Sequence, residues 1–469
     1  MLGRRGTGRF PSLAGPLLVG LMVAVLVQSA ACSRAVGSSE RAYVTAFPIA
    51  MRRPPIKYII VFICDGCGYN HFEAANLFQH GARDARVDGE FPLCLAMSTY
   101  STGSYDPQAA WSDPAYVTAG ATDSAAAATA MSTGVKTTNG TIGLDADGER
   151  VTHLLEHAER RGMATGLVTS VQLCHGTPSG FVAHQADRHD YPRIAQEMLI
   201  TSTVDVIMGS GHPWFDDDGQ PLDADHNYQY VGGEDTWHAL MAGTLPVADA
   251  DRDGTPDRWS LVEARAEFQK LQQGATPSRV LGVAQVGATL QQRRSGDALA
   301  DPYVVPRNET VPTLAEMALG AINVLDDDPD GFFLMVEGGA TDWAAQNNQS
   351  GRMVEELLEF AAAVRAVREW VDAHARWEET LLVVTSDHET GYLTGPSSDG
   401  DWAPLLANGA GALPSMQWNS KDHTNSLVPL CAKGAGSDLL ALYADEVDPV
   451  RGPYLDNTEL AQAIQRLLR

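Results

Sequence analysis

Five short runs of consecutive apolar, often β-branched residues punctuate the chain at 58–64, 165–171, 204–208, 331–336 and 381–385, bounded by Gly, Asp or Ser. Runs that are apolar without alternation mark strands buried on both faces, as in parallel sheets. Between them, apolar residues recur every three or four positions over 151–161, 194–199, 261–271, 313–324 and 353–375, which predicts helices. Strands and helices in alternation predict an α/β fold, a three-layer sandwich with a large, mostly parallel central sheet flanked by helices. Residues 395–422, rich in Gly, Ser, Pro and Asn, predict a long ordered loop.

The polar residues that end these runs carry the chemistry. Asp65 follows the first, Glu337 and Asp342 follow the fourth, and Asp387-His388 follows the fifth. In open α/β sheets the carboxyl ends of the strands form the ligand crevice, so acids far apart in sequence converge there. Any one of them alone reads as a turn or helix cap. Asp and His together suit zinc, whereas Asp, Glu and hydroxyl oxygens suit magnesium. A further segment, Thr122-Asp123-Ser124, precedes an alanine-rich helix former. Ser124 is either a cap, as Asp123 could be, or a nucleophile at a helix start, where free N–H groups favour an anion.

On their order, identity and spacing, these pieces together resemble the alkaline phosphatase family. They are Asp65-Gly66, Asp123-Ser124-Ala125, His175-Gly176-Thr177-Pro178 with Arg188 eleven residues after the threonine, Glu337-Gly338-Gly339 with Asp342, Thr385-Ser386-Asp387-His388-Glu389-Thr390-Gly391, and His423-Thr424-Asn425. The resemblance implies two Zn2+ ions and one Mg2+. Asp65, Asp387 and His388 would hold the zinc nearest Ser124, and Asp342 and His423 the other. Asp65, Thr177 and Glu337 would hold magnesium, and Arg188 would clamp the phosphoryl oxygens. The implied activity is phosphomonoester hydrolysis through a covalent phosphoserine at Ser124, with small phosphate esters as substrates. Homodimers are common in the family. The chain departs from the pattern at Gln346, which stands where a zinc-ligand histidine is expected; an amide is the weaker ligand. His175 and Trp343 occupy positions that vary in the family. Two other functions compete: a phosphodiesterase of the same superfamily, and a metal- or phosphate-binding surface protein weakened by Gln346.

Charge and leader refine this picture. The 469 residues carry 59 Asp plus Glu against 33 Lys plus Arg, a formal net charge of −26, which argues against nucleic acid as a specific partner. Arg4, Arg5 and Arg9 precede an apolar run at 17–27 that stops before Cys32. This predicts a signal peptide over 1–31, export to the periplasm or cell surface, and Cys32 as a candidate lipid-bearing anchor to the membrane. A linker over 32–55 and a catalytic domain over 56–469 follow. Of six cysteines, five remain if Cys32 is lipidated, so no disulfide framework is expected. Cys64 and Cys67 read as small buried residues.

Two further motifs stand apart from this set. Asp249, Asp251, Asp253 and Asp257 are spaced like a calcium loop but lack the final glutamate; a structural Ca2+ loop and a solvated acidic turn remain equal alternatives. His153-Leu-Leu-Glu156-His157 matches an inverted zinc-peptidase pattern but reads as a solvated helix face above a buried stripe of Leu154, Leu155 and Ala158.

Overall fold

Alternate residues of the strand Tyr58–Cys64 (β1) face two separate cores. Ile60, Phe62 and Cys64 join one apolar cluster, and Ile59, Val61 and Ile63 join the other. A strand with water on neither face needs no polar alternation, which explains the unbroken run. A computed structural model describes residues 56–83, 91–250, 254–396 and 402–469. The expected signal peptide, Cys32 and the linker up to 55 lie outside the described residues.

After β1 come Leu93–Ser98 (β2), Ala164–Gln172 (β3), Val206–Ser210 (β4), Ser260–Val262 (β5), Val280–Val283 (β6), Phe332–Gly338 (β7) and Thr380–Thr385 (β8). Four two-residue strands follow: Glu389–Thr390 (β9), Leu393–Thr394 (β10), Gln417–Trp418 (β11) and His423–Thr424 (β12). Val428–Gly434 (β13), Glu446–Asp448 (β14) and Gly452–Asp456 (β15) complete the set. The main sheet has the order β14-β15-β2-β13-β8-β1-β7-β3-β4-β6-β5. From β8 to β5 all neighbours are parallel. β13 runs antiparallel between β8 and β2, and β14 antiparallel at the edge.

Helices cover both faces, as expected for a three-layer sandwich. On one side Leu314–Leu325 and Ser350–His374 bring Met317, Ile322, Met353, Leu357 and Phe360 to the sheet. Phe360 meets Phe62 edge to face at 5.6 Å between ring centroids. On the other, Ser124–Thr133, Leu154–Glu159 and Asn457–Leu467 contribute Ala125, Ala128, Met131, Leu154, Leu460 and Ile464. The Leu314–Leu325 helix starts where the chain predicts: Thr313 Oγ1 accepts from Glu316 N at 3.0 Å, and Glu316 Oε2 accepts from Thr313 N at 2.9 Å. Such a reciprocal cap contributes about 1 kcal/mol.

Several expectations change. The helix expected over 261–271 is divided: Ser260–Val262 joins the sheet edge, and the helix is Arg265–Leu271, begun by Glu267 accepting from Ala264 N at 2.9 Å. The one expected over 194–199 is Tyr191–Gln196 followed by a π turn, Glu197–Thr201. β2, β6, β13 and β15 have no clear signal in sequence, because β6 is four residues long and β13 contains Pro429 and Lys433. Within 395–422, Gln417–Trp418 is a strand that pairs with β10.

The absence of disulfides is also overturned. Cys94 and Cys431 face each other across β2 and β13 and are bonded, as are Cys64 and Cys67. A sequence separation of 337 hides the first pair, which the antiparallel register creates. Among the described residues Cys174 is free and buried, and no helix is long and apolar enough to cross a membrane.

Candidate active site

β8, β1 and β7 are adjacent and parallel at the centre of the sheet, so their carboxyl ends lie side by side. That register puts Asp65, Glu337 and Asp387 at one rim although more than three hundred residues separate the first from the last. Gly66 makes the turn possible. Its φ is +76°, and a Cβ there would lie 2.8 Å from the Asp342 backbone. Its N–H donates to Asp387 Oδ1 at 3.1 Å, and His388 N donates to the same oxygen at 2.9 Å.

His388 is the hub. Its Nε2 lies 3.2 Å from Asp387 Oδ2, 3.4 Å from Asp65 Oδ1 and 3.3 Å from Ser124 Oγ. Its ring stacks on that of His423 with centroids 3.6 Å apart. His423 Nδ1–H donates to the Thr122 carbonyl at 2.8 Å, leaving the lone pair on Nε2, 3.5 Å from Asp342 Oδ1. Gln346 fills the remaining side, its Nε2 3.0 Å from that same His423 nitrogen. Thr390 Oγ1 donates to Asp342 Oδ1 at 2.6 Å, and Thr169 Oγ1 bonds Glu337 Oε2.

The electrostatics favour a cation. Asp65, Glu337 and Asp387 are completely buried. Both Asp65 oxygens, Glu337 Oε1, Asp387 Oδ2 and Thr177 Oγ1 have no hydrogen-bond partner. Burial, and then the charges of Asp387, Asp342 and Glu337, push the Asp65 carboxyl far above its ordinary value. Burial moves Glu337 to about 7 against its bond from Thr169. Burial works the same way on Asp387, but the adjacent His388 wins and holds it at about 2; His388 is raised in return. Unpaired buried carboxylates are too costly to persist alone. Their free oxygens and the imidazole lone pairs suit divalent cations. Two groups have ligand atoms within 4.8 Å of one another, Asp65 with Asp387 and His388, and Asp342 with His388 and His423. Thr177, in the short helix Gly176–Ser179, complements Glu337.

The question of which residue caps the helix Ser124–Thr133 is decided by geometry. Asp123 is the N-cap: its Oδ1 accepts from Ala126 N at 2.9 Å, and its Oδ2 accepts from Gly140 N and from Arg188 Nη1, both at 2.9 Å. Ser124 is thereby left facing His388. Arg188 reaches over Gly176, where a Cβ would lie 2.6 Å from its Nη2. A cleft of about 450 Å³ opens beside Ser124, Arg188, Trp343, Gln346 and His423. On its wall His175 stands between Tyr191 and Trp343, and burial drives its imidazole to about 3, so it is neutral.

All ten residues singled out for catalysis or metal ligation therefore meet at one rim. Asp123, Thr122, Thr169 and Thr390 were not foreseen as their supports; only proximity in space identifies them. Elsewhere, Asp249 and Asp257 accept backbone N–H bonds from Gly254 and Ala250 within their own turn, while Asp251 and Asp253 lie outside the described residues. The solvated face expected at His153 is wrong. The helix begins at Leu154, so His153 is its N-cap and is fully buried, whereas the Leu154, Leu155 and Ala158 stripe is buried as expected.

Residues 56–426 match the family model for alkaline phosphatase. Alkaline phosphatase 3 of Bacillus subtilis is 30% identical over 353 residues, which are 74% of this chain and 64% of that protein. The chain thus spans just under two thirds of that relative. Alkaline phosphatase of Escherichia coli is 29% identical over 84% of each chain. The solved cold-active alkaline phosphatase of a Shewanella species superposes with a TM-score of 0.63 at 24% identity, covering 88% of this chain and all of that one. The fold, the metal-demanding rim and the extent of the family match lead to one conclusion: this chain belongs to the alkaline phosphatase family.

Proposed function

We propose that the chain is an exported, metal-dependent phosphomonoesterase that forms a phosphoserine at Ser124. The observation that carries this reading is a serine hydroxyl released from capping and held 3.3 Å from His388 Nε2, beside carboxylate oxygens that have no partner. When bound, Zn2+ at Asp65, Asp387 and His388, Zn2+ at Asp342 and His423, and Mg2+ at Asp65, Thr177 and Glu337 would acidify the serine hydroxyl and offset charge on the entering and departing oxygens.

The chain's own groups do the rest. Arg188 clamps two phosphoryl oxygens with its planar fork, and its bond to Asp123 sets the angle of that fork. The N–H groups at the start of the Ser124–Thr133 helix add partial positive charge where the anion rests. Ser124 Oγ loses its proton to solvent hydroxide and bonds phosphorus as the ester O–P bond breaks; the leaving alkoxide takes a proton from water in the open cleft and becomes the alcohol. Water then attacks the phosphoserine from the vacated side, releasing inorganic phosphate and restoring the hydroxyl. The Cys94–Cys431 disulfide supports export, since such bonds persist in oxidising compartments. In this reading Cys32 carries the lipid anchor.

The test is hydrolysis of an aryl phosphate and the matching diester at alkaline pH, before and after chelation, with zinc and magnesium returned separately. Wild type regaining monoesterase activity with metals, and Ser124→Ala losing at least about 10³-fold, is the expected result. Equal activity of wild type and Ser124→Ala would overturn the phosphoserine, and preference for the diester would overturn the substrate.

A further inference from the structure

His153 is fully buried, and neither of its ring nitrogens has a hydrogen-bond partner. The N-cap position it occupies ordinarily holds Ser, Thr, Asp or Asn. Here Glu156 Oε2 accepts from His153 N at 2.9 Å, so the imidazole is free for another task. It packs against His184 with ring centroids 4.3 Å apart. His184 Nε2–H donates to the Val151 carbonyl at 3.0 Å, which leaves the lone pair on Nδ1, 3.2 Å from Glu197 Oε1. His153 Nδ1 lies 3.6 Å from Glu156 Oε2. One donor atom each from His153, Glu156 and His184 lie within 4.8 Å of one another. A tetrahedral cation with ligand bonds of about 2.0–2.1 Å separates its ligands by roughly 3.3 Å. The 3.2 and 3.6 Å gaps bracket that value.

The charge state also suits a cation. Burial holds His153 below its usual value, so it is the neutral ligand form. Burial pulls Glu156 upward, but the adjacent His153, through its ring and its backbone N–H, holds it at about 2, as a carboxylate. The positive charge in place is Arg150, whose Nη2 lies 2.8 Å from His184 Nδ1 and 3.0 Å from Glu197 Oε1. Its side chain is 66% exposed and free to swing into water. A small cleft beside Arg150, Glu156, His184 and Glu197 gives access.

We propose that His153, Glu156 and His184 form a second divalent-cation site, of the type that takes zinc, cobalt or nickel, with Glu197 beside His184 and Arg150 as the displaceable counter-ion. It is separate from the cluster around Ser124 and shares no residue with it. Its place in the chain suggests a bracing role. His184 stands four residues before Arg188, on a strap whose Gln185 pairs with Ile142 and whose Arg188 N donates to the Gly140 carbonyl at 2.8 Å. A cation there ties the start of the Leu154–Glu159 helix to the strap that carries Arg188.

The experiment counts cation equivalents retained after dialysis against Zn2+ or Co2+, with the visible Co2+ spectrum as a second readout. Asp65→Ala/Asp342→Ala/His388→Ala serves as the background; it removes a ligand from every cation site expected around Ser124, so that those ligands do not mask the count. One equivalent is expected to remain there, and to disappear on adding His153→Thr, which keeps a good N-cap, or Glu156→Gln. In the otherwise wild-type chain both variants still hydrolyse aryl phosphate, which shows that they fold. Arg150→Ala, at an exposed position, is expected to tighten binding by about tenfold or more through loss of a competing charge. Equal cation content with and without His153→Thr and Glu156→Gln, together with an unchanged affinity in Arg150→Ala, would overturn the site.

Discussion

Gln346 aims its amide nitrogen at His423 Nε2 from 3.0 Å, placing a donor against the one lone pair that His423 offers a metal. The departure from the family's histidine is thus more than a lost ligand. The amide also competes for the ligand beside it, and flipping the amide to present its oxygen removes that competition.

Replacing Gln346 with histidine is therefore expected to tighten zinc retention by about tenfold or more, equivalent to at least ~1.4 kcal/mol, and to raise the hydrolytic rate at limiting zinc. Metal content after graded chelation checks the first part and initial rates check the second. Equal retention in both proteins would show that the amide already serves as well as an imidazole.

Asp123 caps the Ser124 helix and anchors Arg188 at once. Asp123→Ala should lower stability by about 1 kcal/mol. With its fork unanchored, Arg188 should also hold inorganic phosphate several-fold more weakly. Product inhibition constants separate this from a general loss of folding.

Glu356 lies buried on the Ser350–His374 helix, and burial, followed by the charge of Glu359, pushes its carboxyl to about 8 against Arg307 and Arg294. Between the ordinary carboxylate range and that value the native state holds a proton that the unfolded chain has released, so stability falls as pH rises. Above it, the full cost is present. Glu356→Gln is expected to gain little at acidic pH and on the order of a few kcal/mol at alkaline pH. Thermal unfolding at several pH values measures the widening gap; a constant offset would contradict it.

Removing the Cys94–Cys431 bond by serine substitution should cost roughly 2–5 kcal/mol, because it constrains a very long loop of the unfolded chain. Denaturant midpoints with and without reductant test this. Wild type in reductant, which also loses the Cys64–Cys67 bond, should fall at least to the level of the variant.

The centre of the sheet was legible in sequence because β1, β3, β7 and β8 are buried on both faces and announce themselves as apolar runs. Asp65, Glu337, Asp342, Asp387 and His388 were legible because each follows such a run, and Ser124 because it opens a helix, whereas Thr177, Arg188, Gln346 and His423 were placed only by resemblance to the family. β13 was not: its proline and lysine break the pattern, and its place between β8 and β2 is set by partners elsewhere in the chain. The same non-local pairing concealed the bond between Cys94 and Cys431. Nor could sequence show that Asp123 takes the capping role and frees Ser124, since both residues are able to cap and only the Arg188 and Gly140 contacts distinguish them.

The position of β1 has a bearing on how the molecule is made. It is synthesised early, yet its neighbours on either side, β7 and β8, come from the last third of the chain, and His423 arrives later still. Until those segments exist, the first strand has no edge to pair with and the acids have no shared rim. Native pairing of β1 is therefore a late event in biogenesis, and assembly of the acids' shared rim is later still.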